Sequence, residues 1–266
     1  MIPPAVPLAG DQSLVDYSRE DTKAVLLVGG LGTRLRSVVP STPKPLASVG
    51  DRPFLELLVR QLRYQGIHHL VLCTGYLADE IEKQLGDGNA LDMRIEYSRE
   101  PHALGTAGAV KFAEPLLTDV SDFLVMNGDS FMEMDFQELI RFHRKSGGLA
   151  SMAVVRMKNQ MRYGTVEVTT GNRVSGFREK NEGNLTELVN AGVYVFNRRI
   201  FEHIPEGPAS LERDVFPKLI DHGVYALEQK GLFIDIGTPE DYARAQKLAE
   251  RLGKAARRDQ TSGISD

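Results

Sequence analysis

Three short segments carry residues suited to phosphate chemistry, two of them at the ends of apolar runs and the other about a dozen residues after the first. Gly29-Gly30-Leu31-Gly32-Thr33-Arg34-Leu35-Arg36 directly follows Lys23-Ala24-Val25-Leu26-Leu27-Val28. Glycines let backbone N–H groups approach phosphate oxygens without interference from a Cβ, and a following helical turn adds its positive end. Arg34 supplies a permanently charged, forked donor for a triphosphate. Taken alone, the segment is equally compatible with a tight structural turn or another nucleotide fold; it matches neither G-x-G-x-x-G nor the Walker pattern. In Thr42-Pro43-Lys44-Pro45 the prolines keep the backbone extended and aim one ammonium at a fixed point, where it would neutralise charge at a reacting phosphate. The third segment, Asn127-Gly128-Asp129-Ser130, ends the run Asp122–Met126, where open α/β sheets place their ligands. Asp129 there suits Mg²⁺, which prefers carboxylate and phosphate oxygens. Asp235, enclosed by Phe233-Ile234 and Ile236, is a second carboxylate that is costly to bury without a partner, and a metal is a natural one.

The elements that must position these residues alternate. Lys23–Val28, His69–Thr74, Arg94–Tyr97 and Asp122–Met126 read as strands, the first two buried on both faces. Between and after them, Phe54, Leu55, Leu58 and Leu62 recur at helical spacing, with Pro53 at the start and Gly66 at the stop. Asp79–Leu85, Thr106–Ala113 and Phe136–Lys145 are further helix candidates. Such alternation predicts a Rossmann-like α/β fold: a mostly parallel mixed sheet with helices on both faces. Beyond about residue 150 the texture becomes β-rich, with a hairpin around Gly171-Asn172, a strand at Val189–Phe196, a helix at 211–221, a strand at Phe233–Asp235 and a last helix at 239–252. The expected organisation is an N-terminal extension (1–22), a main domain (23–252) whose first half (23–149) reads as a nucleotide-binding layer and whose smaller second half (150–252) is β-rich, and a C-terminal tail (253–266). No hexapeptide repeat of a β-helix is present.

Composition narrows the function. With 266 residues, 42% hydrophobic and 26% charged, the chain can build a sizeable core. A net charge of −4 argues against a nucleic-acid surface, whereas small anionic ligands can still be focused by a few basic side chains. Cys73 is the single cysteine, which excludes an internal disulfide and a cysteine zinc cage; it reads as a buried strand residue. The start fails as a secretory signal and no stretch reaches the roughly 20 apolar residues of a membrane span, so the expected location is the cytoplasm, with no membrane partner. Whether the apolar residues of the hairpin and last helix cover the sheet or a second subunit of a homo-oligomer is left open.

Together with Leu104-Gly105-Thr106-Ala107-Gly108, Glu179-Lys180, Asn190-Ala191-Gly192-Val193-Tyr194 and Asp235-Ile236-Gly237-Thr238-Pro239, these motifs resemble, in order and separation from about Lys23 to Leu252, the nucleotidyltransferases that make NDP-sugars. The resemblance implies an Mg²⁺-dependent enzyme that joins a nucleoside triphosphate to a sugar 1-phosphate and releases pyrophosphate. It implies that Val28, Gly29, Gly30, Gly32 and Thr33 line the base and phosphates, that Arg34 holds the triphosphate, and that Lys44 sits at the reacting phosphates. Gly105, Thr106 and Gly128 would contact the nucleotide, and Asp129 and Asp235 would hold Mg²⁺. Lys180 would grip the sugar phosphate, with Tyr163, Gly164, Glu179, Asn190 and Glu212 around the sugar. The stretches Leu35–Val39, Gly50–Leu55, Arg162–Val166 and Ser210–Glu212 resemble D-glycero-α-D-manno-heptose 1-phosphate guanylyltransferases, with mannose-1-phosphate guanylyltransferases the nearest competitors. Guanine would be read either by a backbone group near Gly29 or by a side chain such as Glu100. A non-catalytic nucleotide-sugar sensor would lack or shield one of Arg34, Lys44, Asp129 and Asp235, and all four are present. A Rossmann dehydrogenase is disfavoured by the glycine spacing and by the lack of an acidic residue ending Leu70–Thr74.

Overall fold

The computed structural model describes residues 22–40, 42–157, 164–178 and 187–257. Its first strand, β1 (Lys23–Leu27), is an apolar run with both faces covered. Ala24 and Leu26 point into one core, and Val25 into the other. The remaining strands are β2 (Ser48–Val49), β3 (Arg52–Pro53), β4 (His69–Thr74), β5 (Arg94–Arg99), β6 (Asp122–Asn127), β7 (Ser130–Met132), β8 (Ala150–Arg156), β9 (Thr165–Val168), β10 (Val174–Arg178), β11 (Leu188–Asn197), β12 (Val224–Gln229) and β13 (Phe233–Asp235). The helices are α1 (Phe54–Tyr64), α2 (Ala78–Leu85), α3 (Gly105–Phe112), α4 (Phe136–Ser146), α5 (Phe216–Leu219), α6 (Pro239–Lys247) and α7 (Ala249–Ala255).

Strand β1 pairs in parallel with β4 and β6, and β4 with β5. Strand β11 runs against both of its neighbours, β6 and β8, and β8 then pairs in parallel with β12. The β9–β10 hairpin joins through Val189 opposite Thr165. Because β11 pairs with β6, strands from both sides of the expected division near residue 150 share one sheet, mostly parallel and mixed as expected. Helices α1, α2, α4, α6 and α7 contribute to the core on one face, and α3 and α5 to the core on the other.

Local chemistry explains the helix limits. Asp135 caps α4, its Oδ1 accepting from Glu138 N at 2.9 Å, and Gly147 ends it in the left-handed region. Thr238 caps α6, with Pro239 in its first turn. The expected helix over 211–221 is instead a π-type turn (Leu211–Val215), the short α5 and a 3-10 turn, with Pro217 inside the segment where its missing N–H prevents a regular ladder. The expected last helix divides at Leu248 into α6 and α7. Helix α7 continues past Leu252, and Ala255 and Ala256 are buried, so the packed core extends beyond the expected limit at 252. Strands β8 and β12 were not individually expected, since their small and mixed residues carry no strong alternation.

The hairpin and last-helix residues whose role was open pack on the sheet. Val166 and Val174 are buried in one core and Leu252 in the other. Cys73 is fully buried, and burial pushes its thiol well above the ordinary range. Beneath β11 lies an aromatic cluster: Phe196 stacks on Tyr194 at 5.6 Å and meets Phe123 edge-on at 5.8 Å and Phe216 at 6.0 Å. Truncating its central ring by Phe196→Ala is expected to cost about 3–5 kcal/mol in urea unfolding, the range for a fully buried aromatic.

Candidate active site

Two aspartates far apart in the chain meet because β7 and β13 pair antiparallel, with Asp235 opposite Ser130 and Ile234 opposite Phe131. Ile236 N donates to the Asp129 carbonyl at 2.9 Å, which extends the ribbon to Asp129 itself. Its far end requires glycine at 231, since a Cβ there would lie 1.7 Å from the Glu133 carbonyl oxygen. Between the carboxylates sits Ser130, whose Oγ lies 3.2 Å from Asp129 Oδ1 and 3.5 Å from Asp235 Oδ2. Gly237 N donates to Asp235 Oδ1 at 2.5 Å. Burial and the negative charge of Asp129 raise the Asp235 pKa, against the opposing pull of the Lys44 ammonium and the Gly237 N–H.

Lys44 reaches this pair from the opposite side of the cleft. It begins a 3-10 turn at Lys44–Leu46 after Pro43, and its Nζ donates to Asp129 Oδ2 at 2.5 Å. The glycine-rich loop lies against its stem: a Cβ on Gly32, itself at φ 59°, would be 2.9 Å from Lys44 Cβ. Thr33–Leu35 forms a 3-10 turn after that glycine. The two arginines of the loop differ. Arg36 donates to the Leu31 carbonyl at 3.3 Å and sits over the Tyr76 ring at 5.0 Å. Arg34 is exposed, with no ion pair or hydrogen bond among the described residues, and so is free to meet an anion. A cleft lined by Gly32, Arg36, Thr42, Lys44, Tyr76 and Leu77 opens beside the loop.

Val28 is buried at the end of β1, with Gly128 packed against its side chain, where a Cβ would come within 2.4 Å of Val28 Cγ1. Gly29 lies beside the Glu100 carboxyl: a Cβ on it would be 2.5 Å from Glu100 Oε1. Glu100 Oε2 accepts from Leu104 N at 2.9 Å, and burial raises its pKa. The backbone near Gly29 and the Glu100 side chain, posed as alternatives for reading a base, are therefore adjacent.

On the α3 face, a hydrogen-bonded chain joins expected nucleotide and sugar residues. Tyr194 OH donates to Glu212 Oε1 at 3.1 Å; Ser210 Oγ and Thr106 Oγ1 donate to Glu212 Oε2 at 2.9 and 3.2 Å. Leu211 N donates to Thr106 Oγ1 at 2.8 Å. Asn190 Nδ2 donates to Tyr194 OH at 2.8 Å, and its Oδ1 accepts from Gly192 N at 2.9 Å. Glu212 lies on the π-type turn, where such turns recur at functional sites. Gly105, at φ 71°, presses on the Ala209 carbonyl, to which Ala107 N donates at 2.9 Å. Thr106 and Glu212 thus spend side-chain polar groups on each other, and Asn190 spends its own on Tyr194 and Gly192.

Gly164 is exposed beside β9; Gly30 is exposed in the loop. Tyr163, Glu179, Lys180 and the expected extension before Thr22 lie outside the described residues. Ser130, Gly237, Tyr194 and Ser210 were missed as site residues, although Ser130 directly follows Asp129 and Gly237 stands two residues after Asp235. Their signal is only that proximity; which hydroxyl or N–H points at a carboxylate depends on the β7–β13 register.

A parallel sheet with a glycine-rich turn, a lysine and two converging aspartates at its carboxyl end defines a nucleotide-binding α/β protein equipped for phosphate chemistry. The chain belongs to the nucleotidyl transferase family, which matches residues 23–251. It is 39% identical over 226 residues to a mannose-1-phosphate guanylyltransferase of Mycobacterium tuberculosis, covering 83% of this chain and 62% of that protein. It is 36% identical over 225 residues to the mannose-1-phosphate guanylyltransferase catalytic subunit beta of Xenopus tropicalis, with the same two coverages. The chain therefore spans less than two thirds of the length of these relatives. The crystal structure of HddC from Yersinia pseudotuberculosis complexed with GMP-PN matches with a TM-score of 0.76 at 33% identity, over 85% of this chain and 98% of that one.

The raised Asp235 pKa has a consequence for stability. The folded protein holds this proton more tightly than the unfolded chain, so the group's contribution is present at low pH and is lost as pH rises from the ordinary carboxylate value through the raised one. Asp235→Asn cannot charge and escapes that loss. Thermal melts in chelator are expected to show the variant gaining on the wild type as pH increases from about 4 to neutrality; an equal difference at every pH would contradict the assignment.

Proposed function

We propose that the chain is a sugar-1-phosphate guanylyltransferase that converts GTP and a manno-configured sugar 1-phosphate to a GDP-sugar and pyrophosphate in the cytoplasm. The observation that carries this reading is the convergence of Lys44, Asp129 and Asp235 beside the glycine-rich loop. A phosphate oxygen of the sugar phosphate attacks the α-phosphorus; the new P–O bond forms as the bond to the β-phosphate breaks, and pyrophosphate leaves from the opposite side. The nucleophile is already an anion, so no residue has to remove a proton. Catalysis then rests on positioning and charge neutralisation. Arg34 draws the triphosphate to the N–H groups of Gly29, Gly30, Gly32 and Thr33; Lys44 neutralises charge at the reacting phosphates, and Lys180 holds the sugar phosphate. Gly105 and Gly128 line the nucleotide.

The donor set fits Mg²⁺. Two carboxylates side by side offer hard oxygen ligands, and among the described residues no group of three or more metal-ligating side chains exists, which suits an ion that completes its shell with water and substrate phosphates. Asp129 and Asp235 would hold it, and bound there it would neutralise phosphate charge. No helix among the described residues is long and apolar enough to cross a membrane, which is compatible with substrates in the cytoplasm.

Guanine is supported by the names of the relatives and by the GMP-PN in the HddC crystals. Glu100 is the side chain suited to it, since a carboxylate accepts from the two donors on guanine's Watson–Crick edge. For the sugar, the motif stretches quoted above support D-glycero-α-D-manno-heptose 1-phosphate, and the relatives' names support mannose 1-phosphate as the second reading. Tyr163, Gly164, Glu179, Asn190 and Glu212 surround the sugar in either case, with Glu212 acting through Tyr194 and Thr106. A pyrophosphate-release assay with four nucleotides and a panel of sugar 1-phosphates is expected to favour GTP with the heptose; preference for UTP, CTP or dTTP would overturn the guanylyl assignment. Lys44→Ala and Asp129→Ala are each expected to lose most turnover while keeping the circular-dichroism spectrum of the wild type. Near-normal rates in both would remove these residues from the chemistry.

A further inference from the structure

Two carboxylates held side by side at the end of a sheet need a nearby cation, and in this chain a side chain meets that need. Lys44 Nζ contacts Asp129 Oδ2 at 2.5 Å, and only 11% of the Lys44 side chain is exposed. The ammonium also lies 3.5 Å from where a Cβ would stand on Gly237, whose N–H holds Asp235 Oδ1. It therefore touches Asp129 and lies near enough to Asp235 for its charge to be felt there. Among the described residues no other lysine or arginine forms an ion pair with Asp129 or Asp235, and Arg34 stands free in the loop. The lysine stem is anchored against Gly32, whereas its four-carbon chain leaves the charged end able to move.

We infer that Lys44 is the resident counter-ion of the Asp129–Asp235 pair, competing with a divalent cation for Asp129 and turning fully to substrate phosphates when that cation replaces it. The inference rests on the reading that these aspartates hold a metal. The ammonium, 2.5 Å from Asp129 Oδ2, takes up the approach to that oxygen and repels a second cation there, although two of its three donors stay open to phosphate. A bare cation must displace Lys44 from the carboxylate at a cost. A cation that arrives with a nucleotide gives the displaced ammonium phosphate oxygens to bind, which offsets that cost. Lys44 thereby makes the site discriminate between free metal and metal delivered with its nucleotide, a role separate from any stabilisation of the reacting phosphate.

The test measures binding of Mn²⁺ alone, without nucleotide, by the electron paramagnetic resonance signal of the free ion, in the wild type and in Lys44→Met, Lys44→Arg, Asp129→Asn and Asp235→Asn. Lys44→Met, which keeps the length and loses the charge, is expected to bind Mn²⁺ at least about tenfold more tightly than the wild type, equivalent to about 1.4 kcal/mol. Lys44→Arg, still charged, should remain within about threefold of the wild type. Either asparagine substitution, added to Lys44→Met, should abolish the gain. If Lys44→Met binds Mn²⁺ no better than the wild type while Asp129→Asn abolishes binding, the metal assignment stands and the counter-ion inference is overturned. If no variant binds Mn²⁺, or the asparagine substitutions change nothing, the metal assignment fails and takes the inference with it. A second measurement needs no substitution: reductive methylation of Lys44, followed by mass spectrometry, should increase at saturating Mn²⁺ as the ammonium leaves Asp129. Unchanged or reduced labelling would also overturn the inference.

Discussion

Everything at the proposed reaction centre depends on the pairing of β7 with β13. That short ribbon sets Asp235 opposite Ser130 and brings it beside Asp129. Without the pairing, each aspartate would be an ordinary carboxylate at a strand end. With it, two negative charges share a partly closed space, Asp235 holds its proton more tightly, and a cation is required on the spot. The tight approach of Gly231 to the Glu133 carbonyl and the bond from Leu232 N to Glu133 Oε2 at 3.3 Å anchor the ribbon's far end. The charge arrangement is thus a product of backbone register.

The sheet supplies the second constraint. Parallel β1, β4 and β6 deliver the glycine-rich turn, the Thr74–Gly75 turn and the Asp129 turn to one edge of the molecule. The reversed strand β11 then carries Asn190 and Tyr194 alongside β6, so that the α3 and β11 sides share one polar chain through Glu212. Three hydroxyl donors on one carboxylate satisfy it without a neighbouring cation, which keeps this chain distinct from the charged cluster around Lys44. A hydrogen-bonded network on that face and a long lysine side chain on the other suit the two-substrate reaction proposed for this site.

Much of this was legible beforehand because the strongest patterns are local. Strands such as Lys23–Leu27 and His69–Thr74 are unbroken apolar runs, and α1 and α4 show helical spacing with recognisable stops at Gly66 and Gly147. The phosphate loop, Lys44 and both aspartates announced themselves by residue type beside such runs. The segment 211–222 was misread because its apolar spacing is helical while Pro217 and the capping of Ser210 favour a π-type turn and broken helix. Strands β8 and β12 escaped because they depend on each other and on β11 for their burial.

The sequence by itself determined the alternating α/β plan, the single buried cysteine, the glycine-rich turn and the residue types suited to phosphate chemistry. These follow from periodicity, turn residues and side-chain type, all of which act over a few neighbouring positions. Only the tertiary structure decided that Asp129 and Asp235 lie side by side, that Lys44 pairs with Asp129, that Arg36 is engaged while Arg34 has no partner among the described residues, and that Glu212 is occupied by Tyr194, Ser210 and Thr106. Each of these is a contact between segments far apart in the chain, set by strand register and by which face a side chain leaves, and a one-residue slip would reverse it.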